Sequence, residues 1–406
     1  MSAGPPLLTR PGCRSSFLNW ALALILALVL AGEAKSQEAW LVSYGPGAEV
    51  WELFGHNALW LRDPATGLDH TFSFGYFEID RPGFHLDFAR GIMLYYGASS
   101  PVEREFAFYR SRQRSISVQR LDLSPEQVRR LHLAIHEAIH PHPQYYAYDY
   151  FRANCSTWLR DLIDQVVDGA LEPALRARPA RLNFRDHTRR MTYERAWIHT
   201  GIMLLLGRSI DQPISAWEET FLPEALAAAL DEVSIGGRPL VSERRVVHDP
   251  RVFQAPPGAQ GPWRMLLVVG ALAAGLILAG ARRRDFLGYL PWRLGVLLAG
   301  LAGSLILLMW FGSGHADTAN NLALLLLNPL WWLLLLDVRR PTAVRSSAMI
   351  AVICVLAIGL LSGGLVLAWP GLIQDRPDQL ALLLPPLLAI LLVALDRLRR
   401  ARSAQQ

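Results

Sequence analysis

The sequence predicts an exported α+β domain followed by an all-α membrane domain of five helices. Three observations carry that prediction: the composition, the placement of the arginines, and the local patterning between residues 39 and 232. The chain of 406 residues is 52% hydrophobic and only 18% charged, with a mean hydropathy of +0.21. That is too apolar for an ordinary soluble protein, so part of it belongs in lipid. The formal charge of +5 does not imply a nucleic-acid partner, because an arginine surplus is also what the cytoplasmic flanks of membrane helices require.

Phe17 to Ala31, following Arg10 and Arg14, is an apolar stretch of about 15 residues, shorter than the roughly 20 that span hydrocarbon. Residues 1–36 therefore read as a signal peptide or an N-terminal anchor, and residues 37–255 as exported. After a Pro-rich linker over 256–264, the membrane domain occupies 265–396, with a cytoplasmic tail at 397–406. Its five apolar runs are Met265 to Ala281, Leu290 to Phe311, Leu322 to Asp337, Ala348 to Trp369 and Leu380 to Leu395. Arg282–Arg284, then Arg339, Arg340 and Arg345, then Arg397, Arg399 and Arg400 follow alternate runs, which places those loops inside and the exported domain outside the cytoplasmic (inner) membrane. The third run is short enough to be tilted or re-entrant.

Within the exported part, residues 39–44 and 57–61 read as strands, with a turn at Asp63 to Gly67 and a further strand over Thr71 to Ile79. Arg114 to Leu121 alternates as a strand. Ser124-Pro125-Glu126 opens a helix that ends before Pro141. Tyr145 to Tyr150 is an extended link, and Asn154 caps a helix from Cys155 to about Val167. Helices broken at Gly207 and Pro213 complete residues 191–232.

Of the three cysteines, Cys13 lies in the leader and Cys354 in a membrane run, so Cys155 has no disulfide partner in the exported domain. A thiol in the first turn of a capped helix meets orphan N–H groups and the positive end of the helix dipole. Both lower its pKa and could hold an oxyanion, which suits a nucleophile. The plain alternative is a buried, inert cysteine. A thiol nucleophile needs a base, and His56, after Gly55 at the start of a strand, is the best candidate; a histidine satisfied in the core is the alternative.

Gly45-Pro46-Gly47, Phe54-Gly55-His56, Phe74-Gly75-Tyr76-Phe77, Tyr146 to Asp149, Asn154-Cys155 with Arg160-Asp161, and Leu206-Gly207 with Ile210-Asp211 occur in an order that resembles the exported domain of the Lnb-type bacterial lipoprotein N-acyltransferases. That domain is itself similar to circularly permuted papain-like enzymes. Gly314-His315 and Asn320-Asn321 through Asn328-Pro329 resemble the family's membrane half. The resemblance implies transfer of a fatty acyl chain from a membrane phospholipid to the N-terminal amine of a diacylglyceryl lipoprotein, without a cofactor. Cys155 would be the nucleophile and His56 the general base. Ser73 stands where the family tends to carry Asn as the orienting residue, with His70 as a substitute. Asn154, Tyr148 and His315 are candidate substrate contacts, although Tyr148 also fits an aromatic core and His315, beside Asp317, a solvated pair. Arg160 and Asp161 are expected to be structural.

His136-Glu137-Ala138-Ile139-His140 matches the zinc pattern H-E-x-x-H, but Pro141 follows at once and no third ligand is apparent, so no metal is expected. Two other functions are open to the same residues: a papain-like cell-wall amidase or peptidase, and a membrane-tethered binding module in which Cys155 is inert.

Overall fold

The computed structural model describes residues 37–254, 256, 258, 261–336, 343–368 and 377–403; the expected leader lies outside the described residues. The exported region is built on a seven-stranded antiparallel sheet in the order β6-β4-β3-β2-β1-β5-β9. Its strands are β1 (Glu38–Tyr44), β2 (His56–Asp63), β3 (Leu68–Tyr76), β4 (Leu94–Pro101), β5 (Ile116–Leu121), β6 (Tyr145–Ala147) and β9 (Val241–His248), while β7 (Ser234–Ile235) and β8 (Arg238–Pro239) form a separate hairpin. The helices are α1 (Phe84–Arg90), α2 (Val102–Ser111), α3 (Pro125–Ile139), α4 (Cys155–Val166), α5 (Leu171–Arg176), α6 (Phe184–Met191), α7 (Ala196–Leu205), α8 (Ala216–Glu219) and α9 (Pro223–Glu232).

Strand alternation divides the sheet into two unlike faces. Leu59 and Leu61 of β2 pack with Leu41, Phe72, Phe74, Leu131, Leu159 and Ile163 in a core shared with α3, α4 and α9. The next residues along, Ala58 and Trp60, face Trp40, Tyr44, Phe106 and Tyr109 under α2. Burying each of these leucines stabilises by roughly 1.5–3 kcal/mol, so a one-residue slip of β2, which would exchange the faces, is strongly opposed. The register in turn fixes His56 opposite Tyr44.

Four long apolar helices follow: α10 (Trp263–Arg283), α11 (Leu290–Gly312), α12 (Ala343–Ala368) and α13 (Pro377–Ser403). At ~1.5 Å per residue each is long enough to cross hydrocarbon. The third run differs from the helix expected of it. It consists of short 3₁₀ turns, Ala316–Thr318, Leu322–Leu325 and Pro329–Leu335, and bends by 42° at Leu326 to Asn328. Pro329 removes a donor there, and the Asn side chains take over as caps: Asn321 Oδ1 accepts from Ala323 N at 3.1 Å and Asn328 Oδ1 from Leu330 N at 3.1 Å. They are not the interhelical pair on one face that a continuous helix would have made of them. Broken backbone at membrane depth must be covered by protein. Glycines on α11 permit this, since a Cβ on Gly303 would lie 2.5 Å from the Asn328 backbone.

The exported domain is tied to the outer loop of the membrane domain by polar contacts. Arg152 donates to both oxygens of Asp317 at 2.7 and 3.0 Å, and Ser209 Oγ donates to the same carboxylate at 2.7 Å. Gly207 N donates to the Asp317 carbonyl at 2.6 Å, and Asn321 Nδ2 donates to Leu204 O and Leu205 O at 2.9 and 3.0 Å. Asp317 is thus buried and paired rather than solvated.

Candidate active site

The start of α4 is held by one side chain. Asn154 Oδ1 accepts the N–H groups of Ser156 and Thr157, both at 3.0 Å, while its Nδ2 donates to Tyr150 O at 2.9 Å and Phe221 O at 2.8 Å. Thr157 Oγ1 accepts from Asn154 N at 2.8 Å, completing a reciprocal cap. Asn154 is buried and its side-chain polar atoms are used within the protein, which fixes the helix start that carries Cys155. Further along, Leu159 and Ile163 reach the core, Trp158 stacks on Phe74 with centroids 5.0 Å apart, and Arg160 pairs with Asp161 at 2.7 Å while lying over the Trp217 ring.

Cys155 is half-buried, its sulfur lies 3.8 Å from Ser156 Oγ, and the backbone N–H of Asn57 is among the groups that favour its charged form. Asn57 immediately follows His56, so the start of α4 meets the strand end that carries the histidine, across about a hundred residues of intervening chain. Ser156 Oγ locks the junction by donating to Asn57 Oδ1 at 2.8 Å. On the open side, a Cβ on Gly75 (φ +105°) would meet Cys155 Cβ at 3.8 Å and Tyr148 Cε2 at 4.0 Å. Glycine here both supplies the left-handed conformation and leaves the space above the thiol clear.

The electrostatic setting differs from that expected of a thiol at a helix start. Burial pushes the Cys155 thiol above its ordinary value, against the pull of the Asn57 N–H and the Ser156 hydroxyl. The N–H groups of Ser156 and Cys155 at the helix start also favour the thiolate, but desolvation outweighs them. His56 moves the other way. Burial, with the Arg114 guanidinium adding to it, holds the imidazole down at about 3. Near neutral pH the resting site holds a protonated thiol and a neutral imidazole.

His56 lies beside two tyrosines, with ring centroids 6.2 Å from Tyr44 and 6.4 Å from Tyr109, which stack on each other at 3.5 Å. Tyr44 Oη donates to the buried Glu105 at 2.9 Å. Arg114, also buried, donates to Gly45 O at 2.8 Å, pairs with Glu52 at 3.5 Å and covers the Tyr109 ring. Sequence reasoning missed this group of Tyr44, Glu105, Tyr109 and Arg114. The available signal was Gly45-Pro46-Gly47: a Cβ on Gly47 would stand 3.0 Å from Arg114 Cδ, so the motif makes room for the arginine.

Ser73 Oγ donates to Tyr76 Oη at 3.1 Å and makes no hydrogen bond to His56. His70 pairs with Leu61, five positions along β2 from His56 and so ~17 Å away at ~3.4 Å per residue; it cannot orient that ring. Tyr148 stacks on Tyr95 at 4.2 Å and leads through Tyr150 (5.8 Å) to His315 (6.2 Å), whose Nε2 bonds Phe88 O at 2.7 Å. His315 therefore reaches the neighbourhood of Cys155 only through a row of rings. A cavity of about 440 Å³ beyond Tyr44 and Gly55 includes neither Cys155 nor His56 in its wall. His136 of α3 and His140 just past its end have ring centroids 4.2 Å apart with planes tilted by 36°, and no group of three or more His, Cys, Asp or Glu suited to a metal occurs among the described residues.

Two family models match the chain, the Lnb N-terminal periplasmic domain over residues 33–192 and the Lnb transmembrane domain over residues 257–395. The chain belongs to the Lnb family. It is accordingly a membrane protein of the inner membrane with a periplasmic domain, and Cys155 and His56 both lie within the stretch matched as periplasmic. No curated protein and no solved structure matches it. For an Lnb protein the polar ties at Asp317 and Asn321 have a clear physical role, because they seat the periplasmic domain on the outer ends of the membrane helices.

Proposed function

We propose that this protein is a thiol acyltransferase of lipoprotein maturation, moving a fatty acyl chain from a membrane phospholipid through a Cys155 thioester to the N-terminal amine of a diacylglyceryl lipoprotein. The observation that carries the reading is the half-buried sulfur of Cys155 at the capped start of α4, which Ser156 joins to Asn57, the residue after His56. Family membership supports the substrate class.

A neutral imidazole is the protonation state a general base requires. As the sulfur attacks the ester carbonyl, its proton passes to His56, and the carbonyl oxygen takes up negative charge. The N–H groups of Cys155 and Asn57, both of which favour the thiolate at rest, are suited to that oxyanion once the sulfur has become covalent. Collapse breaks the glycerol C–O bond, and the imidazolium returns its proton to the departing alkoxide, leaving a thioester and a lysolipid. The lipoprotein amine then attacks the thioester carbonyl, gives its proton to neutral His56, and the thiolate leaves and recovers that proton. Tyr44, Tyr109 and Tyr148 restrict water around the site, which favours an amine over hydrolysis.

Mass spectrometry of lipoprotein N-termini from cells carrying the wild-type chain, Cys155→Ala or His56→Ala tests the proposal. N-acylation is expected with the wild type and lost in both variants; N-acylation retained by Cys155→Ala would refute it.

A further inference from the structure

The segment between β3 and β4 is unusual for a surface. Ile79, Leu86, Phe88, Ile92 and Leu94 are all exposed, Leu86 at 55%, on or beside the short helix α1. Single exposed apolar residues are ordinary, whereas a contiguous set marks a surface meant for something other than water.

Where α1 sits identifies that partner. Gly91 (φ +80°) ends the helix by packing on Gly314, where a Cβ would lie 2.6 Å from the Gly314 carbonyl carbon. Gly314 N donates to Arg90 O at 2.6 Å, and His315 Nε2 bonds Phe88 O at 2.7 Å. The membrane helix α11 ends at Gly312 with Phe311 exposed at 73%, so α1 is fastened within a few residues of the point where the chain leaves hydrocarbon. A short element with an apolar surface at that depth meets acyl chains and headgroups.

The inner side of the same segment leads to the thiol. Phe84 stacks on Phe77 at 5.6 Å, Phe77 lies 5.1 Å from Tyr95, and Tyr95 stacks at 4.2 Å on Tyr148, whose ring faces Gly75 beside Cys155. We infer that residues 79–94 form a lip embedded in the outer leaflet, over which an acyl chain passes from lipid along these rings to Cys155. The passage to Cys155 rests on the proposed acyl transfer; the embedding does not.

The full chain in phosphatidylethanolamine–phosphatidylglycerol vesicles provides the test. With its own cysteines changed to serine (Cys13→Ser, Cys155→Ser, Cys354→Ser), it is labelled with an environment-sensitive fluorophore through Leu86→Cys and, as a wet reference, through Glu126→Cys at the exposed start of α3. The label at 86 is expected to emit to the blue of that at 126 and to be quenched at least threefold more by lipids spin-labelled near the headgroup. Equal emission and quenching at both sites would overturn the inference. In otherwise wild-type protein, Leu86→Asp with Ile79→Asp is expected to raise KM for phospholipid about tenfold with kcat within twofold. An unchanged KM with an embedded label would overturn the passage of the acyl chain. Because the fluorescence is read in a chain that transfers nothing, failure of the lip and failure of the acyltransferase reading are distinguishable.

Discussion

The two faces of the sheet treat their polar groups in opposite ways. On the α4 face, Asn57, Asn154, Ser156 and Thr157 are buried and mutually hydrogen-bonded. On the α2 face, His56 shares its surroundings with stacked tyrosines, a buried Glu105 whose carboxyl burial pushes up, and Arg114, which has an unpaired buried Nη2. The first arrangement fixes a position and the second sets an electrostatic environment. In the proposed reading the nucleophile uses the former and the base the latter, and Asn57 and His56, adjacent at the start of β2, face one each.

The comparison is broken most severely by removing either reacting group. Cys155→Ala and His56→Ala are each expected to lower acyl transfer by about 10³-fold or more, measured as product per enzyme in vesicles. Next comes the positioning face. Asn154→Ala removes the cap and strands the carbonyls of Tyr150 and Phe221, costing about 2–4 kcal/mol of stability in denaturant unfolding.

The electrostatic face is tested by pH. Because His56 is held at about 3 against an ordinary 6.5, the unfolded chain binds a proton in that window that the native chain does not. Stability therefore rises with pH between about 3 and 6.5 and is lost as pH falls through it, a slope that His56→Gln should flatten. Arg114→Gln removes a cation that holds the imidazole down, so the acid limb of the pH–rate profile is expected to move to higher pH. The smallest effect belongs to Ser73→Ala. Its hydroxyl serves Tyr76, and activity should change by less than about threefold; a larger loss would give Ser73 an orienting role that its hydrogen bond does not support.

The sequence made some of this legible through short-range rules. Ser124 with Pro125, and Asn154, are caps readable from adjacent residues, and both helices start where those residues place them. Alternation located β1, β2 and β5. What stayed hidden was set by long-range packing. β4, with Gly97 packed against Phe74 and Ile139, and β9, exposed from Ser242 to Val246, lack the alternating apolar pattern that marks a half-buried strand. The third membrane run is as apolar as a helix, yet Pro329 and the glycines of α11 make it a bent series of turns. Within the site, the lowered pKa expected of a thiol at a helix start failed because burial outweighs the donors at the helix end, and the role of Arg114 depends on a neighbour about seventy residues away in Gly45-Pro46-Gly47.

The most direct measurement is the intact mass of the purified protein after incubation with phospholipid and no lipoprotein acceptor. The account predicts an added acyl chain on Cys155, released by neutral hydroxylamine and discharged when a lipoprotein amine is supplied. An acyl adduct that forms equally in Cys155→Ala while transfer proceeds, or transfer by the wild type through an enzyme that never carries acyl at Cys155, would contradict it.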